Sequence, residues 1–214
     1  MKYPVFLQAL AITIVVFLIG MYVGISLEEN RLSEVNDYYI DSEVSLLDVL
    51  ALDSLIGSSD VSCSDLMDAN SELLDRVYYE ALVLEDYEKS GRVTNNLESF
   101  HKKYDVLRTH LWINAIKIKD LCGEFNTVVY LYNGSVEDLG IRAEENVWSK
   151  VLRDLKDEEA DNVLLIPLDV GSDLVSLNSL IKDYGIERYP SAVINEKDVF
   201  SELVTAEELR GFLN

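Results

Sequence analysis

The chain has 214 residues, 49% of them hydrophobic, with 39 acidic against 18 basic side chains and a formal net charge of −21. Enough apolar surface is available for a core, which excludes wholesale disorder, and the charge repels phosphate backbones, which argues against nucleic-acid binding. Anionic lipid surfaces are disfavoured too, except through an anchor; a solvated acidic surface, a high-salt habitat or a basic partner each accommodates the acidity.

Residues 4–25 read PVFLQALAITIVVFLIGMYVGI, with Gln8 as the one strongly polar side chain. At about 1.5 Å per residue they cover roughly 33 Å, enough for a hydrocarbon core of about 30 Å. A cleaved signal peptide would carry a shorter apolar run and a small-residue cleavage site. Here the run leads into Ser26-Leu27-Glu28-Glu29-Asn30-Arg31 in a helical pattern, so a retained single-pass anchor is expected. Lys2 and the amino terminus precede the span, and Glu28 and Glu29 follow it. The positive-inside rule then makes residues 1–27 a cytoplasmic N-terminus plus anchor and places the rest outside.

Residues 28–125 read as a helical region without a strand pattern. Leu32, Val35, Ile40, Val44, Leu47, Leu50 and Leu55 have helical spacing, with a break expected near Asp41. Gly57-Ser58-Ser59-Asp60 is a turn cluster. A hairpin of two helices is expected over 62–122. The first starts at a Ser62/Asp65 capping pattern, carries Leu66, Leu73, Val77, Ala81 and Leu84, and ends at Ser90-Gly91. The second starts near Thr94 or Asn95, with Glu98 completing a cap. Its stripe is Leu97, Phe100, Tyr104, Leu107, Leu111 and Ile118, a narrow coiled-coil-like seam.

Cys63 opens the first helix and Cys122 closes the second, almost equally far from the turn between them. In an antiparallel hairpin both sit at the open end. A disulfide there is the favoured reading over two unrelated buried thiols, and it implies an oxidising compartment. His101 and His110 are too far apart along one helix for a single metal ion, and no Cys/His cluster suits zinc. No metal or other cofactor is expected.

From Asn126 the pattern changes. Residues 127–132 and 162–170 read as buried strands. A helix from about Ala143 to Glu158 lies between them, with Val147, Trp148, Val151, Leu152 and Leu155 on one face. Ser172 caps a further helix bearing Leu174, Leu177, Leu180 and Ile181, ending near Tyr184-Gly185. Residues 191–195 and 199–203 form a hairpin, and Thr205-Ala206-Glu207-Glu208 is a capping box for a last short helix with Leu209 and Phe212 inward. The order is βαβ, then α, then ββα, which requires a parallel pair followed by an antiparallel one.

Leu168-Asp169-Val170, together with Tyr184-Gly185-Ile186-Glu187-Arg188-Tyr189-Pro190-Ser191-Ala192-Val193-Ile194, resembles the thioredoxin superfamily. The likeness covers residues 126–214. It implies an α/β fold: a thioredoxin-like mixed sheet, preceded here by a transmembrane helix and an antiparallel helical hairpin. It also implies a cis peptide before Pro190, with Ser191 where the family usually has threonine. Two departures are plain. The family's CxxC would fall at residues 135–139, which here read Ser-Val-Glu-Asp-Leu; thiol–disulfide exchange needs a thiolate at that place. No extra N-terminal strand precedes Asn126, so the strand bearing Pro167 falls at the sheet edge, where a missing N–H is tolerated.

The resemblance further implies a loop that recognises extended peptide backbone. Tyr189 and Pro190, with Ser135, Val136, Glu137 and Asp138, are the candidate partner-binding residues; the competing reading keeps Pro190 as a fold-defining turn residue. Asn133-Gly134-Ser135 is a glycosylation acceptor pattern at the same loop. No catalytic constellation is found. The expected function is a non-catalytic, membrane-anchored extracytoplasmic binding or scaffold protein with a protein or peptide partner, in outline like accessory subunits of membrane complexes. The alternatives are an oxidoreductase using Cys63 and Cys122, and an envelope protein oligomerising through its helical hairpin.

Overall fold

The computed structural model describes residues 3–56, 61–89, 97–123, 125–159 and 162–213. Its elements are α1 (Tyr3–Leu55), α2 (Cys63–Lys89), α3 (Leu97–Cys122), β1 (Asn126–Tyr132), α4 (Leu139–Glu159), β2 (Val163–Asp169), α5 (Val175–Asp183), β3 (Ser191–Ile194), β4 (Asp198–Phe200) and α6 (Ala206–Arg210). The chain divides into two units, Met1–Glu43 and Val44–Asn214. The turn at Gly57–Asp60, the Ser90-Gly91 stop and the Thr94/Asn95 start lie outside the described residues, as do the side chains of Leu32, Val35, Leu84, Leu97 and Glu98.

In the first unit, Phe6–Leu27 is a 22-residue helical stretch long and apolar enough to cross a membrane. Its side chains are exposed throughout; a helix that is apolar all round needs either a core or lipid to cover it. The Thr13 hydroxyl donates to the Ala9 carbonyl at 2.9 Å, so this polar group is satisfied within the helix. The break expected near Asp41 is absent, and α1 runs through it. Neither glycine nor proline occurs between Ile25 and Ile56, and an aspartate alone costs a helix only a few tenths of a kcal/mol, roughly, relative to better formers.

The second unit begins on the last turns of α1. Val44, Leu47, Leu50 and Leu55, expected to face inward, are exposed; Ser45, Val49 and Leu52 are buried instead. Polar contacts set that rotation. The Ser45 hydroxyl donates to Glu80 at 2.7 Å, Arg76 donates to Asp48 at 3.2 Å, and Lys117 pairs with Asp53.

α2 starts where Ser62 Oγ accepts the Asp65 N–H at 3.2 Å. Leu66, Leu73 and Val77 are buried as the spacing predicts, and Ala81 is half-buried. A disulfide joins Cys63 to Cys122 with Cα atoms 5.5 Å apart. Farther along, the Tyr104 hydroxyl donates to Glu80 at 3.3 Å. The two helices are therefore antiparallel. Phe100, Tyr104, Leu107, Leu111 and Ile118 are buried on α3, but so are Asp105, Arg108, Thr109, Trp112, Asn114 and Ala115. The narrow seam is corrected by this: α3 packs against α2 and also against β2 and α5, which makes it a central helix.

The sheet has four strands in the order β2-β1-β3-β4. β1 and β2 are parallel, β1 and β3 antiparallel, and β3 and β4 antiparallel, an α/β arrangement with a small mixed sheet. Pro167 is on the edge strand. Side chains alternate along β1. Val128 and Tyr130 join Trp148, Leu152 and Leu155 of α4 and Leu209 of α6 in one core cluster. Val129 and Leu131, also buried, point to the opposite face, the one α3 covers beside β2.

Local departures have local causes. α4 begins at Leu139, because Asp138 Oδ1 accepts the N–H groups of Gly140 and Ile141 at 2.7 and 3.2 Å. Val147 is 45% exposed while Trp148 beside it is fully buried. Ser172 does not cap α5: Val170–Ser172 is a single 3-10 turn, Leu174 occupies the cap, and the Ser172 hydroxyl donates to the Asp169 carbonyl at 2.7 Å. α5 stops at Gly185, whose φ of 64° admits the paired bonds Ile186 N–H to Ile181 O and Gly185 N–H to Lys182 O. β4 ends at Phe200, short of the expected 203. The Thr205–Glu208 capping box forms in both directions. Leu209 is buried but Phe212 is 43% exposed, its ring meeting Phe200 edge-on at 4.9 Å.

Candidate functional site

Tyr132 and Asp169 close the parallel strands β1 and β2 side by side. In open α/β sheets, ligand crevices form outside such carboxyl ends. β3 enters from the same end, with Ser191 opposite Leu131, so Pro190 lies alongside the end of β1. Loop 133–138 leaves from there. One end of the sheet thus holds Asn133, Ser135, Val136, Glu137 and Asp138 together with Tyr189 and Pro190. The Tyr189–Pro190 peptide is cis. Pro190 is buried and Tyr189 half-buried, and burial raises the Tyr189 phenol above its ordinary pKa. An ion pair of 3.6 Å between Arg188 and Glu144 ties this segment to α4.

Much of the loop's polarity is spent on its own shape. Asn133 Oδ1 accepts from the Ser135 N–H at 3.3 Å and the Ser135 hydroxyl at 2.8 Å. The Asn133 N–H donates to Glu145 at 2.8 Å. Asp169 Oδ1 takes the N–H groups of Gly134 at 3.2 Å and Gly171 at 2.8 Å, stitching the two loops together. A Cβ at Gly171 would meet Asn133 Oδ1 and Ser135 Oγ at 2.8 Å, so a larger residue there would push those side chains aside. Asp138 is committed to the cap of α4. Glu137 is exposed, and Val136 and Tyr189 are half-buried.

Behind this end stand residues that sequence reasoning missed. Asp105 of α3 is buried, and its carboxylate accepts the Asp169 N–H at 3.2 Å. Burial lifts its pKa to about 6, although the Asp169 bond and the Arg108 charge pull it down. The Arg108 guanidinium is 4.0 Å away and also buried. Burial likewise pushes the Tyr132 phenol up to about 12. The Ser191 hydroxyl, next to Pro190, is buried with no hydrogen-bond partner among the described residues. On a helix of mixed polarity, Asp105 and Arg108 have the spacing of any surface pair, so no pattern distinguished them.

The disulfide lies elsewhere. Cys122 shortly precedes β1, at the amino end of that strand. Seven residues at about 3.3 Å each put the strand ends roughly 20 Å apart. Cys63 and Cys122 are the chain's two cysteines and are bonded to each other, so no thiol stands at the Tyr189–Pro190 end. Among the described residues no group of three or more His, Cys, Asp or Glu side chains could hold a metal ion. His101 is exposed and His110 half-buried on α3.

No family model, curated protein or solved structure matches the chain. The carboxyl end of the sheet carries a half-buried aromatic, a buried proline and a short polar loop held by its own hydrogen bonds.

Proposed function

We propose that this chain is a non-catalytic, membrane-anchored binding or scaffold protein with a thioredoxin-like domain at residues 126–214, facing the extracytoplasmic side. The observation that carries the reading is the separation of sulfur from loop. Residues 135–139 offer Ser-Val-Glu-Asp-Leu where the family places its reactive cysteines, and both cysteines are locked together at the far end of β1. The strand order, the parallel-then-antiparallel pairing and the cis Tyr189–Pro190 support the likeness. The apolar span supports the anchor, and a disulfide supports an oxidising compartment. A partner peptide would meet Tyr189, Val136 and Glu137.

Two measurements test this. In an insulin-reduction assay the full chain in detergent is expected to give no turnover above background; turnover that vanishes in Cys63→Ser would establish the oxidoreductase alternative. Photo-crosslinking from position 189 in native membranes is expected to capture a discrete protein that position 153, on the exposed face of α4, does not. Equal capture from both positions would refute a binding role for the loop.

A second reading, an envelope protein oligomerising through its helical region, is favoured by one observation: Val44, Leu47 and Leu55 present apolar surface outward at the end of α1. The mass of the full chain in nanodiscs distinguishes monomer from oligomer.

A further inference from the structure

At the opposite end of the sheet from Tyr189–Pro190, a cleft of about 420 Å³ opens between α2 and the start of β2. Phe125 and Leu164 give it an apolar wall, and Asp68, Glu72 and Asp75 of α2 line it as well. The three carboxylates have the i, i+4, i+7 spacing that stacks side chains along one helix face. Glu72 is shared with Arg76 at 3.5 Å; Asp68 and Asp75 have no ion pair among the described residues. The decisive side chain is Asn70. It lines the cleft, is only 2% exposed, and among the described residues neither its carboxamide oxygen nor its nitrogen has a hydrogen-bond partner.

An unpartnered buried amide is costly, and native proteins seldom keep one without a use. A carboxamide offers one acceptor and a pair of donor hydrogens side by side, the complement of a peptide unit. The carboxylates beside it select positive charge. The chain's net charge of −21 draws basic partners in from a distance.

We propose that this cleft binds an extended basic segment of a partner protein, pairing a main-chain peptide unit with the Asn70 carboxamide and holding a Lys or Arg side chain between Asp68 and Asp75. The site is separate from the loop at residues 133–138 and does not depend on a thioredoxin-like reading.

The test titrates the full chain in detergent micelles with acetyl-Gly-Arg-Gly-amide while following the Asn70 side-chain NH2 signal by ¹⁵N–¹H correlation spectroscopy. A saturable shift of that signal is expected. The double variant Asp68→Asn, Asp75→Asn should bind about fivefold more weakly, as loss of two exposed ion pairs implies. Acetyl-Gly-Glu-Gly-amide should bind about tenfold more weakly or not at all, since like charges meet. Asn70→Leu should abolish binding and raise Tm, because it removes the unpaired amide. The proposal is overturned by the absence of a saturable shift, by equal affinity for the Glu peptide, or by an unchanged affinity in the double variant. Spermidine acting as well as the arginine peptide would mean a simple cation site and overturn it too. So would a lower Tm or failure to fold in Asn70→Leu, since the amide would then serve the fold itself.

Discussion

The Asp105 carboxylate of α3 accepts the backbone N–H of Asp169 across 3.2 Å, fastening the helical hairpin to the carboxyl end of β2. The same carboxyl is held at a pKa of about 6 by burial, against an ordinary value of 3.8. The folded state therefore binds this proton more tightly than the unfolded chain does. Its contribution to stability is complete below about pH 4 and is lost as the pH rises through about 6, on the order of 2–3 kcal/mol at most. A ¹³C titration of the Asp105 carboxyl should show a midpoint near 6. Asp105→Asn should remove this part of the pH dependence of Tm. A midpoint near 4 would refute the burial argument.

The Cys63–Cys122 bond spans 59 residues of sequence. In the chain-entropy model, closing a loop of that size restricts the unfolded chain by about 4 kcal/mol, less any strain. The double variant Cys63→Ser, Cys122→Ser should lower stability by up to that amount in urea unfolding. The loop at residues 133–138, at the far end of β1, should keep its amide protection. Unchanged stability on adding reductant would contradict the bridge.

Asn195 joins more elements than any polar residue the sequence drew attention to. Its φ is 52°, a left-handed conformation that Asn tolerates better than most residues. Its Oδ1 accepts from the Thr127 N–H at 3.1 Å and Lys119 Nζ at 2.8 Å, and its Nδ2 donates to Asn126 Oδ1 at 2.9 Å and the Phe212 carbonyl at 3.1 Å. Asn195→Ala removes four hydrogen bonds in a buried place and strands the Thr127 N–H, although Lys119 keeps its pairing with Glu196, and should cost about 2–4 kcal/mol. Asn195→Gly keeps the backbone geometry but not the bonds. It should recover only the small part due to φ, which a urea series on both variants would measure.

Asp169 and Gly171 shape the candidate loop. Asp169→Ala frees the N–H groups of Gly134 and Gly171 that its Oδ1 now accepts. Amide exchange at those two positions should speed up while β1 stays protected. Gly171→Ala drives a methyl to within 2.8 Å of the Asn133 and Ser135 side-chain oxygens, which must shift, and should likewise speed exchange at Ser135 by loosening its bond to Asn133. Exchange rates unchanged in both variants would show that the loop is held by something else.

The sequence was most legible where one physical signal dominates. β1 and β2 are short, largely apolar runs, Thr205 and Glu208 form a reciprocal cap, Gly185 ends α5, and two cysteines at matched distances from a turn came together. It was least legible where polar residues are buried. Asp105, Arg108, Thr109 and Asn114 made one side of α3 look solvated, because hydrogen bonds to distant elements leave no periodic trace. The rotation of α1 was misread for the same reason: Ser45, bonded to Glu80, displaced Val44 and Leu47 from the inward face. Of the candidate site, the positions of loop and proline could be read from the likeness. The Asp169 stitching and the Asp105 support could not, since they depend on contacts between residues 35 and 64 apart.

Pro167 sits in the middle of one outermost strand, and the other outermost strand is only three residues long. A sheet bordered this way offers no long uninterrupted row of hydrogen-bond donors to a neighbour. Crowded copies can therefore collide repeatedly without their sheets zipping edge to edge into fibrils.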